Sequence, residues 1–203
     1  MLKKFLIATI LCFAWTQGIV AKADDPLDPK KAEAFMSDIG NHVINLLTDK
    51  TISTQERTKQ FRTILDTKFN VKSIAKFVLG RYWKQATKEE QEKFIALFES
   101  TTAATYATRF QDYTSEKLEI LGSRLEKDGG VTVLSRIVRE DGDPITMNWK
   151  LFKKKGEIRI YDIHLEGISM GITQRSEFAS VIQKGGGHIN ALLNALATKK
   201  QSE

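Results

Sequence analysis

Apolar residues in the first half of the chain recur at helical spacing. Ala32, Phe35, Met36, Ile39, Val43, Leu46 and Leu47 fall on one face of a helix. Asp28 followed by Pro29 supplies an N-cap and a first-turn proline ahead of them. Ser53 and Glu56 have the spacing of a capping box, and Phe61, Ile64 and Leu65 continue that second helix. Asn70 caps a third, with Val71, Ile74, Ala75 and Val78 inward and Gly80 as its stop. Thr87 and Glu90 form another capping box. The long helix that follows carries Phe94, Leu97, Phe98, Thr101, Thr105, Tyr106, Phe110 and Tyr113.

After Tyr113 the period changes to two. Leu118 and Ile120 open a strand near Lys117, and Asp128, Gly129 and Gly130 make a turn. Val131, Val133, Ser135 and Ile137 then alternate with Thr132, Leu134, Arg136 and Val138. Asp141 to Pro144 form the next turn, and Ile145, Met147, Trp149 and Leu151 share one face of a third strand. Lys153, Lys154, Lys155 and Gly156 turn into a fourth strand over Glu157 to Leu165. Short turns between four strands predict an antiparallel meander. From Ile168 helical spacing returns through Ile172, Phe178, Ala179 and Ile182. Gly185, Gly186 and Gly187 interrupt it, and Ile189, Leu192, Leu193 and Leu196 complete a last helix. Helices segregated from an antiparallel sheet define an α+β fold: N-terminal helices, a four-stranded twisted meander, C-terminal helices. There is no internal repeat and no second-domain boundary, so residues 24–203 read as one domain with 24–27 and the tail after Thr198 as loose ends.

The first 23 residues follow a different rule. Lys3 and Lys4 precede an apolar run from Phe5 to Val20, and Ala21, Lys22 and Ala23 make a small-x-small site before Asp24, Asp25 and Pro26. That order is a secretory leader with cleavage expected after Ala23. The run is interrupted by Thr9, Thr16, Gln17 and Gly18, which argues against the alternative of an uncleaved membrane anchor. Cys12, the one cysteine, sits inside the leader behind Leu11 rather than a small residue, so it is not a lipoprotein cysteine and leaves with the peptide. A thiol-free mature chain suits an oxidising compartment.

Composition narrows the classes. Of 203 residues, 41% are hydrophobic and 28% charged, which fits a globular chain and not low-complexity disorder. One cysteine excludes a cysteine-based zinc cluster, three scattered histidines, His42, His164 and His188, argue against histidine-rich metal chemistry, and no cofactor is expected. The formal charge of +6 includes Lys3, Lys4 and Lys22 of the leader; the remaining excess is too mild for a nucleic-acid footprint.

Candidate chemistry is thin. Asp162, His164 and Glu166 alternate on the fourth strand and share a face, so they could hold a metal or move protons in a hydrolase. One strand by itself supplies no third-direction ligand or nucleophile; a solvated polar face opposite Tyr161, Ile163 and Leu165 is the better reading. The triple glycine before the last helix lacks the following lysine and hydroxyl of a nucleotide loop and reads as a joint. Lys153 to Lys155 at a hairpin tip would suit an anionic surface, or simply a soluble turn. Tyr82, Trp83, Phe94, Phe98, Tyr106 and Phe110 crowd the entry to the long helix.

Two blocks carry a family resemblance. Val78, Leu79, Gly80, Arg81, Tyr82 and Trp83, then Gln91, Phe94 and Phe98, make the first. Tyr161 through Ser169, then Gln174 to Phe178, the glycine step and Ile189 to Leu193, make the second. Together they resemble the MlaC, or toluene-tolerance, family over nearly all of the mature chain, with His164 where the family usually has an aliphatic residue. The resemblance implies a periplasmic phospholipid-binding protein and no enzyme. It implies a soluble shuttle between an outer-membrane lipoprotein–porin complex and an inner-membrane ABC transporter complex, with the acyl tails in an apolar cavity between sheet and helices. A related branch accompanies hopanoid biosynthesis, and the sequence does not separate the two.

Inward residues of the sheet and facing helices are then the expected walls of that cavity: Leu79, Tyr82, Trp83, Phe98, Tyr106, Val133, Ile137, Met147, Trp149, Leu151, Ile163, Ile168, Phe178 and Ile182. They are chosen by pattern alone. Arg81 and Arg175 match family positions; each could steer a phosphate headgroup, and ion pairing with Asp162 or Glu166 is the preferred expectation.

Overall fold

Local capping places the helices. In the computed structural model, residues 26–109, 116–139 and 142–202 are described; the expected leader, Phe110 and Tyr113 lie outside them. Helix α1 (Pro29–Thr48) starts where the Asp28 carboxylate accepts from the Lys30 amide at 2.8 Å and the Lys31 amide at 3.4 Å. Helix α2 (Thr54–Lys68) starts at Ser53, whose hydroxyl accepts from the Glu56 amide at 3.2 Å. Asn70 accepts from the Ser73 amide to open α3 (Val71–Leu79), and a 3-10 turn runs over Gly80–Lys84. Helix α4 (Lys88–Arg109) opens on a reciprocal box: the Thr87 amide donates to the Glu90 carboxylate at 2.8 Å, and the Glu90 amide to the Thr87 hydroxyl at 3.2 Å. All four starts fall where the sequence predicts them.

Among the described residues the sheet has five strands, not four: β1 (Lys117–Leu125), β2 (Val131–Val138), β3 (Ile145–Lys154), β4 (Glu157–Leu165) and β5 (Ile168–Ser169), antiparallel in chain order. The expectation of helix from Ile168 onward is corrected by one hairpin. Glu166 (φ 48°) and Gly167 (φ 79°) form a two-residue turn with both φ angles positive, which returns the chain to pair Leu165 with Ile168 and His164 with Ser169. Helix α5 (Met170–Lys184) begins only after that pairing, and α6 (Asn190–Ser202) closes the chain. Bulges at Leu121 in β1 and Tyr161 in β4 shift the register.

Apolar packing divides in two. Helix α1 lies across β1 and β2, where Met36, Ala32 and Ile39 meet Val131, Val133, Leu151 and Ile160, with Trp149, Ile158 and Ile163 half-buried around them. Leu27, expected in a loose end, is buried in this layer, and the tail beyond Thr198 continues α6. A separate helical body joins α3, α4, α5 and α6 through Val78, Leu79, Tyr82, Phe94, Phe178, Ile182, Leu192 and Leu193. A smaller cluster of Leu46, Phe61, Ile64 and Ala107 ties α1, α2 and α4 together. The seam between the two bodies runs along β4, which α2, α3 and α5 all touch. There the Asn70 amide donates to the Ile160 carbonyl at 2.9 Å, and the Asn70 side chain donates to the Tyr161 hydroxyl at 2.7 Å.

Candidate functional site

The fourteen residues expected to line one cavity occupy four places. Leu79, Tyr82, Phe98, Phe178 and Ile182, with Trp83 packed against them, come together in the helical body. Phe94, Phe98 and Phe178 interlock there, with ring centroids 5.7 to 6.1 Å apart. Val133, Leu151, Trp149 and Ile163 lie in the layer under α1. Ile137 and Met147 share that sheet face, by their pairing with Ile145 and Leu165. The Trp149 indole N–H donates to the Ser135 hydroxyl at 3.0 Å, which in turn donates to the Met147 carbonyl, so this polar pair is satisfied inside an apolar layer. Tyr106 belongs to the α1–α2–α4 cluster. Ile168 is 62% exposed on β5.

Open volume lies on the other side of the sheet. A groove of about 460 Å³ is walled by Thr132, Leu134, Asn148, Lys150, Asp162 and His164 of the sheet and by Phe77 and Ile172 of α3 and α5. Beside it, a second groove of about 340 Å³ is lined by Ser73, Lys76, Phe77, Gly80, Trp83, Lys84 and Arg175. Both sizes fall within the range of about 300–1,000 Å³ common for ligand sites. Phe77 belongs to both grooves and is 44% exposed, and Ile172 on the rim is 59% exposed. Of the fourteen expected residues only Trp83 lines either groove. The sequence reading missed Phe77, Ile172, Lys76 and Lys84. A large aromatic on the polar side of α3 is the signal that points to Phe77.

Asp162 and His164 do share a face, and it is this grooved face. His164 Nε2 is 3.2 Å from the Asp162 carboxylate. That carboxylate also accepts from the Ser169 hydroxyl at 2.5 Å, the Gly171 amide at 3.0 Å and its neighbour's amide at Ile163, so it pins the start of α5 to β4. A hydrolytic triad places the imidazole between hydroxyl and carboxylate so that it can take the hydroxyl proton. Here the carboxylate sits in the middle, and the Ser169 proton is directed at Asp162. The Glu166 carboxylate turns away to accept from the Thr146 amide. Among the described residues no group of three or more histidine, cysteine or acidic side chains is placed to hold a metal ion.

The two arginines do not pair with these acids. Arg81 stacks over the Tyr82 ring at 5.0 Å and donates to its hydroxyl at 2.9 Å. Arg175 lies over the Phe77 ring at 5.4 Å. The expected ion pairs with Asp162 or Glu166 are therefore replaced by aromatic contacts. Gln91, also in the first resemblance block, donates to the Trp83 and Ala86 carbonyls at 2.8 and 3.2 Å and fixes the turn that carries Trp83.

An α1-covered antiparallel sheet, a helical body docked along its fourth strand and two grooves at the seam define an α+β domain. The sequence profile of the MlaC protein family matches residues 38–198, and the chain belongs to that family. It is 26% identical over 136 residues to the intermembrane phospholipid transport system binding protein MlaC of Haemophilus influenzae, covering 65% of this chain and 61% of that protein. It is 19% identical over 117 residues to the toluene tolerance protein ttg2D of Pseudomonas putida, covering 58% and 54%. The chain thus spans less than two thirds of the length of each of these curated relatives. In three dimensions it is similar to the phospholipid-binding protein from Ralstonia solanacearum solved in complex with a phospholipid. That match has a TM-score of 0.72 and 22% identity, and covers 84% of this chain and 97% of that one. The likeness shows the fold, and it includes the helices flanking the sheet.

Proposed function

We propose that this protein is a periplasmic phospholipid carrier. Family membership over residues 38–198 is the observation that carries the reading. The names of the Haemophilus and Ralstonia relatives, an intermembrane phospholipid transport binding protein and a phospholipid complex, support it. The leader expected over residues 1–23 directs the chain to the periplasm. Among the described residues no helix is long and apolar enough to cross a membrane.

The physical task explains the architecture. Each methylene hidden from water contributes about 0.8 kcal/mol, so a tail of about 15 methylenes resists free aqueous transit by roughly 12 kcal/mol. A carrier must offer an apolar lining of similar quality to the bilayer, and binding then exchanges one oily environment for another. Two apolar bodies meeting along β4 supply such surfaces. Acyl tails enter from the grooved side of that seam, along Phe77 and Ile172. Its docking partners are an outer-membrane lipoprotein–porin complex, which gives up or receives lipid, and an inner-membrane ABC transporter complex, which couples transfer to ATP. The carrier reading needs no catalytic step, and the order of hydroxyl, carboxylate and imidazole around Asp162 is not that of an acyl-transfer triad.

Organic extraction of the folded, purified protein followed by mass spectrometry tests the carrier. Phospholipid at near-stoichiometric yield is expected, and its two chains identify the cargo. A hopanoid in its place would assign the protein to the other branch of the family. A folded sample free of any lipid would overturn the reading.

A further inference from the structure

The smaller groove is unusual in its charge. Three of its seven lining residues are cations, Lys76, Lys84 and Arg175, and none is acidic. Among the described residues none of the three forms an ion pair. Solvated lysines on a helix face are common, yet here they come from different elements and converge on one concavity: Lys76 from α3, Lys84 from the 3-10 turn, Arg175 from α5. The Arg175 side chain is exposed, and its guanidinium packs on two neighbours. It stacks on Phe77, and it lies against Gly80, where a Cβ would come within 2.8 Å of its Nε. Phe77 and Trp83 add an apolar wall beside the charges, and Ser73 contributes a hydroxyl. A planar fork with donors free of carboxylates, two ammonium groups and a hydroxyl match a tetrahedral oxyanion with several acceptor oxygens. The two blocks that carry the family resemblance meet here, one supplying Gly80 and Trp83 and the other Arg175.

We propose that Arg175, Lys84 and Lys76, with the Ser73 hydroxyl, bind a phosphate oxyanion in this groove, either the headgroup phosphate of an anionic phospholipid or a free phosphate ion. The site deepens the carrier reading and rests on it for the lipid source only. The phosphate would sit between the two ammonium groups with the guanidinium facing it, and the glyceryl end of a lipid would leave along Phe77 toward the larger groove.

The test follows the Arg175 Nε–H and Gly80 amide resonances of the isotopically labelled protein. Inorganic phosphate, short-chain phosphatidylglycerol and short-chain phosphatidylcholine are titrated separately. Saturable shifts of both resonances are expected. Shifts with phosphate alone assign a free-ion site, and shifts only with lipid assign a headgroup site. Arg175→Gln and Lys84→Gln should each weaken the response at least tenfold with an unchanged circular dichroism spectrum, whereas Lys127→Gln, an exposed lysine in the β1–β2 turn, should not. Resonances unmoved by all three probes overturn the site, as does an equal loss in Lys127→Gln, which would reduce the effect to net charge. Extracted lipid with a silent Arg175 removes this site and leaves the carrier. A phosphate response without extractable lipid does the reverse.

Discussion

Gly80 stands at φ 59° and ψ −128°, where α3 ends and the Arg175 side chain crosses. L-residues avoid that backbone region because Cβ meets the following carbonyl. Gly80→Ala should lower stability by about 1–3 kcal/mol, read as a shift in urea midpoint, and should free the Arg175 side chain from its stack on Phe77. Asp162 is the other residue whose role is local and specific. Replacing it by alanine strands the Ser169 hydroxyl and the Gly171 amide, with an expected loss of about 1–3 kcal/mol. His164→Ala removes an imidazole that is 40% exposed, and should change stability by less than about 0.5 kcal/mol. Under the carrier reading it should also leave lipid extraction unchanged.

At the scale of elements, the joint between α5 and α6 is set by a close approach. A Cβ on Gly185 would come within 2.2 Å of the Ala191 Cβ, so the two helices touch where the glycine run was read as a joint. Gly185→Val should push α6 away and expose Leu192 and Leu193, costing about 1–3 kcal/mol by overpacking. Thermal melts of the variant check it. The helix starts were legible because a cap is a chemical event within four residues: Asp28, Ser53, Asn70 and Thr87 each satisfy an amide two or three positions on. Strand β5 was not, because two residues carry no period and the hairpin depends on Glu166 adopting a positive φ. The apolar face of each strand was legible from alternation, yet alternation cannot say what covers it. Trp149 and Trp83 therefore looked like parts of one wall, although the fold assigns them to different bodies. Lys76 and Lys84 escaped notice because each alone is an ordinary surface lysine; only the fold brings them to Arg175.

The whole molecule should lose stability in acid. Hydrogen bonds from Lys30 and Ser123 hold Glu33 below its ordinary 4.5, and Thr132 and Arg124 do the same for Glu126. Thr51 lowers Asp49, and Lys150 lowers Asp128, from an ordinary 3.8. For these groups the unfolded chain binds protons first as the pH drops. Their stabilisation is therefore present above about pH 4.5 and lost as the pH falls through the lower folded values. Asp66 runs the other way: burial and the nearby Glu99 raise it above 3.8, so its contribution is present at low pH and fades as the pH rises through the raised value. Four lowered groups against one raised group predict a urea midpoint that declines from pH 6 to pH 3. Each of the four is at least partly exposed, so the decline should be shallower in high salt.

Phe77 is shared by the two grooves at the seam, and nearly half of its surface faces water. A single ring is thus common to a groove walled by cations and a groove walled by the sheet. Any change of its rotamer would reshape both at once and unstack one guanidinium.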